Sequence, residues 1–240
     1  MIEIALAILI VSFAMFVRGF TGFGGALLTV PLLSLIWDVQ LAIVVVAAMQ
    51  VVTGGTLAVI SRRSIARREL IRVLAPSFVG LAAGAFLLSS LPVDWVARAL
   101  GVFSILAGTS VLIRARKVLI VSEASRAATG GAGLVAGLLQ GMVGTGGPVI
   151  VPYLQRILTG AASLRSTLLA YFLVLDIVRL ASYVPLGIAG RSAIGPSLYL
   201  LPFAVIASLA GGRLQIQVSE TIFRVAVALL LILAGALLLL

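Results

Sequence analysis

The chain has 240 residues, of which 62% are hydrophobic and only 10% are charged, with a mean hydropathy of +1.29. Charged residues make up about 25% of an average soluble domain, so this composition excludes a soluble protein and predicts an all-α, multi-pass membrane protein. The net charge of +10 lies mainly in short loops and does not indicate nucleic-acid binding, while the lack of cysteine and histidine excludes disulfides, thiolate chemistry and the usual zinc and haem sites.

Ten apolar segments follow one another along the sequence. They lie at about 2–17, 26–36, 39–60, 71–90, 95–113, 127–139, 148–158, 162–184, 194–211 and 219–240. Several reach the ~20 residues that a helix needs to cross a bilayer. The segments at 26–36, 127–139 and 148–158 are too short for that, and each borders one of two glycine-rich motifs.

These two motifs interrupt the apolar sequence at matching places in the two halves. Residues 18–25 read RGFTGFGG, residues 140–147 read QGMVGTGG, and a proline follows each motif within six residues. Equivalent glycines lie 122 residues apart, about half the chain. Lipid tolerates unwound backbone only where protein or a watery cavity covers it, and paired glycine-interrupted segments are typical of a transporter's binding site.

Each motif lies within a stretch that is too long to be one straight span. A helix over residues 2–36 would extend ~52 Å, against a hydrocarbon core of ~30 Å, and the same holds for 127–158. We therefore predict two re-entrant helical hairpins with glycine-rich tips, each followed by three transmembrane helices. The repeats would occupy residues 1–114 and 127–240 of one membrane domain, joined by a cytoplasmic loop at 115–126.

Each predicted repeat crosses the membrane an odd number of times, so the second would be inverted relative to the first. With the first basic loop inside, the inner face collects Arg62, Arg63, Arg67, Arg68, Arg72, Arg114, Arg116, Lys117, Arg126, Arg156, Arg165 and Arg213. The outer face then holds Arg191 with Glu3, Asp38 and Asp94. The excess of basic residues in inner loops favours inversion over a parallel arrangement, and both termini would lie outside.

The two glycine motifs, followed by Pro31 and Pro152, resemble the sulfite exporter TauE/SafE family of membrane permeases over essentially the whole chain. The resemblance implies a protein of the cell (inner) membrane that moves sulfur-containing anions such as sulfite or organosulfonates. One departure is Pro148, which stands where many relatives continue the glycine run.

Helices that begin after the two motifs would present unpaired N–H groups and positive dipole ends, which together suit an anion. The candidate substrate-binding residues of the first motif are Arg18, Thr21, Gly22, Phe23, Gly24 and Gly25, and those of the second are Gln140, Gly144, Thr145, Gly146 and Gly147. The alternative is that these glycines only allow close helix packing, which is what we expect of Gly80, Gly84 and Gly108.

Arg18 stands at the first motif, and Gln140 occupies the equivalent position of the second. A buried arginine is costly and usually has a partner. We consider two roles for Arg18: an electrostatic partner of the anion, or a donor to loose carbonyl groups at the helix end.

Asp176 and Arg179 lie three residues apart on one face of the segment 162–184. They either form a structural ion pair, or Asp176 carries a coupling proton while Arg179 attracts the anion. At an offset of 126 residues their counterparts are Gln50 and Thr53, so Gln50 and Arg179 join the candidate substrate-binding residues.

These features predict a secondary transporter that moves a small sulfur-containing anion by alternating access, with H⁺ or Na⁺ as the candidate coupling ion. The alternatives are an anion channel on the same fold and a transporter of another small carboxylate or oxyanion. An enzyme is disfavoured because the sequence shows no nucleophile–base set, and a scaffold would not need the glycine breaks. Membrane lipid and a second copy of the chain are the other partners considered, and no cofactor or metal is expected.

Overall fold

The computed structural model describes residues 2–61, 64–113, 125–213 and 220–239, so the predicted loop 115–126 lies outside these ranges except for its last two residues. The described residues form α-helices and no strand, which confirms an all-α protein. In chain order the helices are α1 (Ile2–Thr21), α2 (Gly25–Leu33), α3 (Val39–Ser61), α4 (Arg67–Ser90), α5 (Val93–Ile113), α6 (Arg126–Val143), α7 (Gly147–Ile157), α8 (Ala161–Tyr183), α9 (Ile194–Arg213) and α10 (Glu220–Leu237).

Five segments of the described ranges are long and apolar enough to cross a membrane. They are Ile2–Thr21, Val39–Val59, Arg67–Ser90, Ala161–Tyr183 and Arg191–Arg213. Their outer surfaces carry large exposed apolar side chains, among them Leu9, Phe86 and Leu198. Such surfaces suit contact with lipid tails, and the chain is a polytopic membrane protein.

Each glycine motif ends one helix and begins the next, as the sequence predicts. Gly22, Gly24 and Gly144 have φ angles of 84°, 87° and 77°, a left-handed conformation that disfavours any residue with a side chain. We refer to residues 22–24 as the first tip and to residues 144–146 as the second tip. The helices on either side of each tip pack against each other, so each pair forms a helical hairpin.

The two arms of each hairpin are unequal in length. Helix α1 has 20 residues and α2 has 9, while α6 has 18 and α7 has 11. At 1.5 Å per residue, α1 is ~30 Å long, which matches the whole hydrocarbon core. The apolar segment 2–17 stops before Arg18, whereas α1 continues to Thr21 and includes Arg18, whose charge is paired with Asp176.

Two helix contacts between the halves are equivalent to each other, because each pairs the fourth helix of one half with the first helix of the other half. Helix α4 packs along α6, and its counterpart α9 packs along α1. A Cβ atom on Gly84 would overlap the backbone of Leu138, so α4 and α6 meet at bare backbone. In the same way, a Cβ atom on Gly211 would overlap the backbone of Phe16. The expected packing role of Gly84 is confirmed, and the duplication seen in the sequence extends to these contacts.

Helices α3 and α8 pack against each other, and their contacts run in opposite senses. Gly54 lies beside Leu173, whereas Gln50, one turn earlier in α3, is bonded to Arg179, which lies later in α8. The two helices are therefore antiparallel. Helices α5 and α10 are antiparallel as well, because Gly101 contacts Gly235 while Gly108 contacts Ala228.

Candidate functional site

A small cavity lies where the two tips meet α3 and α8. The residues that line it are Arg18, Phe23, Gly24, Ala26, Leu27, Gln50, Gly144, Thr145, Gly147 and Phe172. The space holds about one water molecule. Both glycine tips, which are more than a hundred residues apart in sequence, therefore border one interior space.

The start of α2 supplies backbone donors to this cavity. The first bond into the turn runs from the Leu28 N–H to the Gly24 carbonyl at 3.2 Å, so the N–H groups of Gly25, Ala26 and Leu27 precede it and have no acceptor within the helix. Ala26 and Leu27 line the cavity. The positive end of the α2 dipole lies at the same place, so this wall favours negative charge.

A buried ionic cluster adjoins the cavity. Asp176 lies between two arginines, with Oδ2 3.2 Å from Arg18 Nη2 and Oδ1 3.3 Å from Arg179 Nη2. All three side chains are at most 1% exposed. The predicted ion pair between Asp176 and Arg179 is thus present, and Arg18 is a second partner that the sequence did not reveal. Arg18 takes a carboxylate as its partner rather than the carbonyl groups at the end of α1.

Two glutamines fix the orientation of this cluster. The Gln140 amide donates from Nε2 to Asp176 Oδ1 at 2.7 Å, and its Oε1 accepts from the Gly146 N–H at 2.9 Å. The Gln50 Oε1 accepts from Arg179 Nη2 at 2.8 Å. Asp176 therefore accepts hydrogen bonds from Arg18 and Gln140 and forms an ion pair with Arg179, which is the bonding pattern of an ionised carboxylate.

The second tip offers fewer free backbone donors than the first. The N–H groups of Gly144 and Thr145 bond to the carbonyls of Gln140 and Leu139, at 3.0 and 3.4 Å. The Gly146 N–H is bonded to the Gln140 side chain, as described above, and Pro148 has no N–H group. This leaves Gly147 as the amide of α7 that can face the cavity, so the two tips differ in their chemistry.

Arg179 lies against the second tip and not in the cavity wall. Its Nη1 donates to the Gln140 carbonyl at 3.4 Å, and its guanidinium stands 5.9 Å from the centre of the Tyr183 ring. The Tyr183 hydroxyl donates to the Gly141 carbonyl at 2.7 Å. A Cβ atom on Gly144 would overlap the Arg179 guanidinium, so this position needs glycine for both space and conformation.

Two side-chain donors of the cavity wall have no partner among the described residues. They are Arg18 Nη1 and the Thr145 hydroxyl, and both atoms are buried. A buried donor without an acceptor costs about 1–3 kcal/mol, and more when it is charged. Both residues line the cavity, so an oxyanion placed there would satisfy them.

The structure divides the sequence-predicted residues into two groups. The residues that line the cavity are Arg18, Phe23, Gly24, Gln50, Gly144, Thr145 and Gly147. Those that lie outside its wall are Thr21, Gly22, Gly25, Gln140, Gly146, Asp176 and Arg179. Of the second group, Gln140, Asp176 and Arg179 hold the second tip and the ionic cluster together through the contacts described above.

Thr21 and Gly22 have local structural contacts. Thr21 Oγ1 lies 2.9 Å from the Val17 carbonyl oxygen and 2.7 Å from that of Phe23, and it accepts from the Phe23 N–H at 3.2 Å. The hydroxyl therefore closes the turn of the first tip and does not reach the cavity. Gly22 lies against the side chain of Arg165.

Phe172 is a cavity residue that the sequence reasoning missed. It lies four residues before Asp176 and therefore on the same face of α8. Extending the Asp176–Arg179 face by one turn toward the N-terminus would have found it. Phe172 and Phe23 both approach Gly147, so two aromatic rings border the cavity there.

Comparisons with known proteins agree with this architecture. The family model described as sulfite exporter TauE/SafE matches residues 7–238. A curated protein of Comamonas testosteroni, named "Probable inner membrane transporter protein TsaS", is 29% identical over 179 residues, which cover 72% of this chain and 72% of that protein. No solved structure matches the chain. The match over nearly the full length shows that the chain belongs to the sulfite exporter TauE/SafE family of membrane transporters.

Proposed function

We propose that the protein is a secondary transporter that moves a small sulfur-containing anion, such as sulfite or an organosulfonate, by alternating access. The observation that carries this proposal is the pair of buried, unpartnered donors, Arg18 Nη1 and the Thr145 hydroxyl, on one cavity. The anion oxygens would accept from these two groups and from the N–H groups at the start of α2. Gln50 is the remaining polar side chain of the cavity wall, and its amide NH₂ group would complete the set of donors.

The size of the cavity bears on how the anion enters. The space holds about one water molecule, which is too little for a sulfur atom with three oxygens. Binding therefore requires movement of a tip or of the rings of Phe23 and Phe172. Such movement around a fixed central site is the step that alternating access needs.

We further propose that the two halves are inverted repeats, residues 1–114 and 127–240, with the tips as re-entrant loops. The antiparallel packing of the counterparts α3 and α8, and of α5 and α10, supports this arrangement. In that topology, both chain termini lie on the outer face of the inner membrane.

Coupling to H⁺ or Na⁺ belongs to the same proposal. Asp176 is the buried carboxylate of the cluster, and its two hydrogen bonds and its two ion pairs with arginines support the ion-pair role over that of a proton carrier. If Asp176 carried the coupling proton, Asp176→Asn would remove the titrating group, and transport by the variant would no longer respond to a pH difference across the membrane.

Transport in liposomes tests the proposal. We expect uptake of radiolabelled sulfite to saturate and to be accelerated by unlabelled sulfite on the opposite side of the membrane. Arg18→Gln should reduce this uptake by about tenfold or more, because it removes the charge-assisted donor of the site. Arg98→Gln, at an exposed arginine of α5, is the matched control and should transport normally.

Other outcomes would decide among the alternatives. Flux that rises linearly with concentration and shows no exchange would favour an anion channel. Uptake of carboxylates in preference to sulfur anions would favour the other substrate class. Normal transport by Arg18→Gln would show that Arg18 serves the structure only.

A further inference from the structure

The charge of the buried cluster is not balanced. Among the described residues, the ionisable side chains with at most 1% exposure that carry charge at neutral pH are Arg18, Asp176 and Arg179. They sum to one positive charge. Apart from Asp176, the acidic residues whose side chains the structure describes are Glu3, Asp38, Glu69 and Asp94, which stand at helix ends or in loops and form no ion pair with the cluster.

A further arginine near the first tip is not part of this sum. Arg165 lies on α8 three turns before Asp176, about 16 Å away along the helix. It is only partly buried and donates to the Gly19 carbonyl. Its side chain lies against Gly22 of the first tip, but it is not one of the fully buried charges in this sum.

The net charge of a buried site affects how strongly it binds an anion of a given charge. A net charge in low dielectric is expensive, and a bound ion lowers that cost most when it brings the total to zero. One excess positive charge matches one negative charge on the substrate. A dianion would leave an excess negative charge in the same place.

We propose that Asp176 sets the charge selectivity of the site, by neutralising one of the two arginines so that the cavity accepts a monoanion and rejects a dianion. This inference rests on the proposed function, because it concerns the anion that the same cavity holds. It assigns Asp176 as a specificity-determining residue that acts through Arg18 and Arg179, since its carboxylate lies outside the cavity wall.

Isosteric changes give a series of three charges at this site. Asp176→Asn raises the sum to two positive charges and keeps the shape of the side chain. Gln50→Glu lowers it to zero, and a carboxylate oxygen in place of Gln50 Oε1 can still accept from Arg179. Arg98→Gln, at an exposed position of α5, changes the net charge of the protein without touching the cluster.

Binding of two nearly isosteric anions tests the inference. We would measure the dissociation constants of methanesulfonate, a monoanion, and of sulfate, a dianion, at pH 7.5 by calorimetry on the purified full-length protein. The wild type and Arg98→Gln should bind methanesulfonate at least about tenfold more tightly than sulfate. Asp176→Asn should reverse this order, and Gln50→Glu should weaken methanesulfonate by about tenfold or more.

Each result separates this inference from the proposed function. Equal binding of both anions by the wild type, or an unchanged ratio in a folded Asp176→Asn, would overturn the charge selectivity and leave the transporter intact. If Asp176→Asn does not fold, undiminished binding of methanesulfonate by Gln50→Glu would overturn it instead. A folded wild type that binds neither anion would overturn both proposals.

Discussion

Gly144 shows how one residue can serve the backbone and the charges at once. Its φ of 77° ends α6, and the absence of a side chain leaves room for the Arg179 guanidinium. Arg179 in turn holds Asp176 and Gln50. A change at Gly144 therefore disturbs the ionic cluster even though Gly144 has no functional group of its own.

Replacing Gly144 by alanine tests this dependence. We expect Gly144→Ala to destabilise the protein by about 1–3 kcal/mol, because the residue would need an unfavourable φ and would displace Arg179. Thermal unfolding in detergent would show a lower midpoint, and anion binding would weaken as well.

Gly130→Ala is the control for this change. Gly130 lies within α6, and a Cβ atom there meets nothing within 4 Å. Alanine is the better helix former, so the midpoint should stay the same or rise. Equal midpoints for Gly144→Ala and the wild type would contradict the role given to Gly144.

Individual site residues could be predicted where they belong to a repeated motif. Arg18, Phe23, Gly24, Gly144, Thr145 and Gly147 all line the cavity, because a glycine break in lipid has to face a covered space. The bond between Arg18 and Asp176 joins residues 158 positions apart in opposite halves, and no repeat or helical spacing indicates such a pair. Thr21 was expected at the substrate, but a threonine at a turn often bonds its own backbone.

At the scale of helices, glycine also sets how closely two helices approach. Gly84 on α4 and Gly211 on α9 occupy equivalent positions at the α4–α6 and α9–α1 interfaces. We expect Gly84→Ala and Gly211→Ala to lower the thermal midpoint by similar amounts, because each Cβ would overlap a facing backbone. The cost should be about 1–3 kcal/mol in each case.

Gly131→Ala provides the comparison for these interfaces. Gly131 lies in α6, and a Cβ atom there meets nothing within 4 Å. This variant should keep the midpoint of the wild type. A large drop in the thermal midpoint for Gly84→Ala with no drop for Gly211→Ala would show that the two interfaces contribute unequally to stability.

Helix ends could be predicted from sequence more reliably than the roles of the helices. The breaks at both glycine motifs follow from the need for positive φ, and they lie where expected. Helix α1 extends to Thr21, whereas the apolar segment 2–17 stops before the charged Arg18. In the protein its charge is paired inside, so the helix continues.

At the scale of the whole molecule, the orientation of the two halves decides which loops face the cell interior. The chain has no native cysteine, so single introduced thiols can report it directly. The exposed positions Asp38, Arg67, Arg156 and Arg191 are suitable sites.

We expect a membrane-impermeant maleimide added to intact cells to label Asp38→Cys and Arg191→Cys. Arg67→Cys and Arg156→Cys should react only after the membrane is opened, because positively charged short loops lie inside. Reaction of Arg156→Cys from outside, with protection of Arg191→Cys, would show that the halves are parallel.

The chemical difference between the two tips has a kinetic consequence. Arg18 and the amides at the start of α2 lie beside the first tip, whereas Gln140 and Pro148 leave the second tip with fewer free backbone donors for an anion. In the proposed carrier, the anion would therefore meet different hydrogen-bond donors from the two sides of the membrane. Half-saturation measured from the cytoplasm should therefore differ from that measured from outside, although the gradients alone decide the direction of net flow.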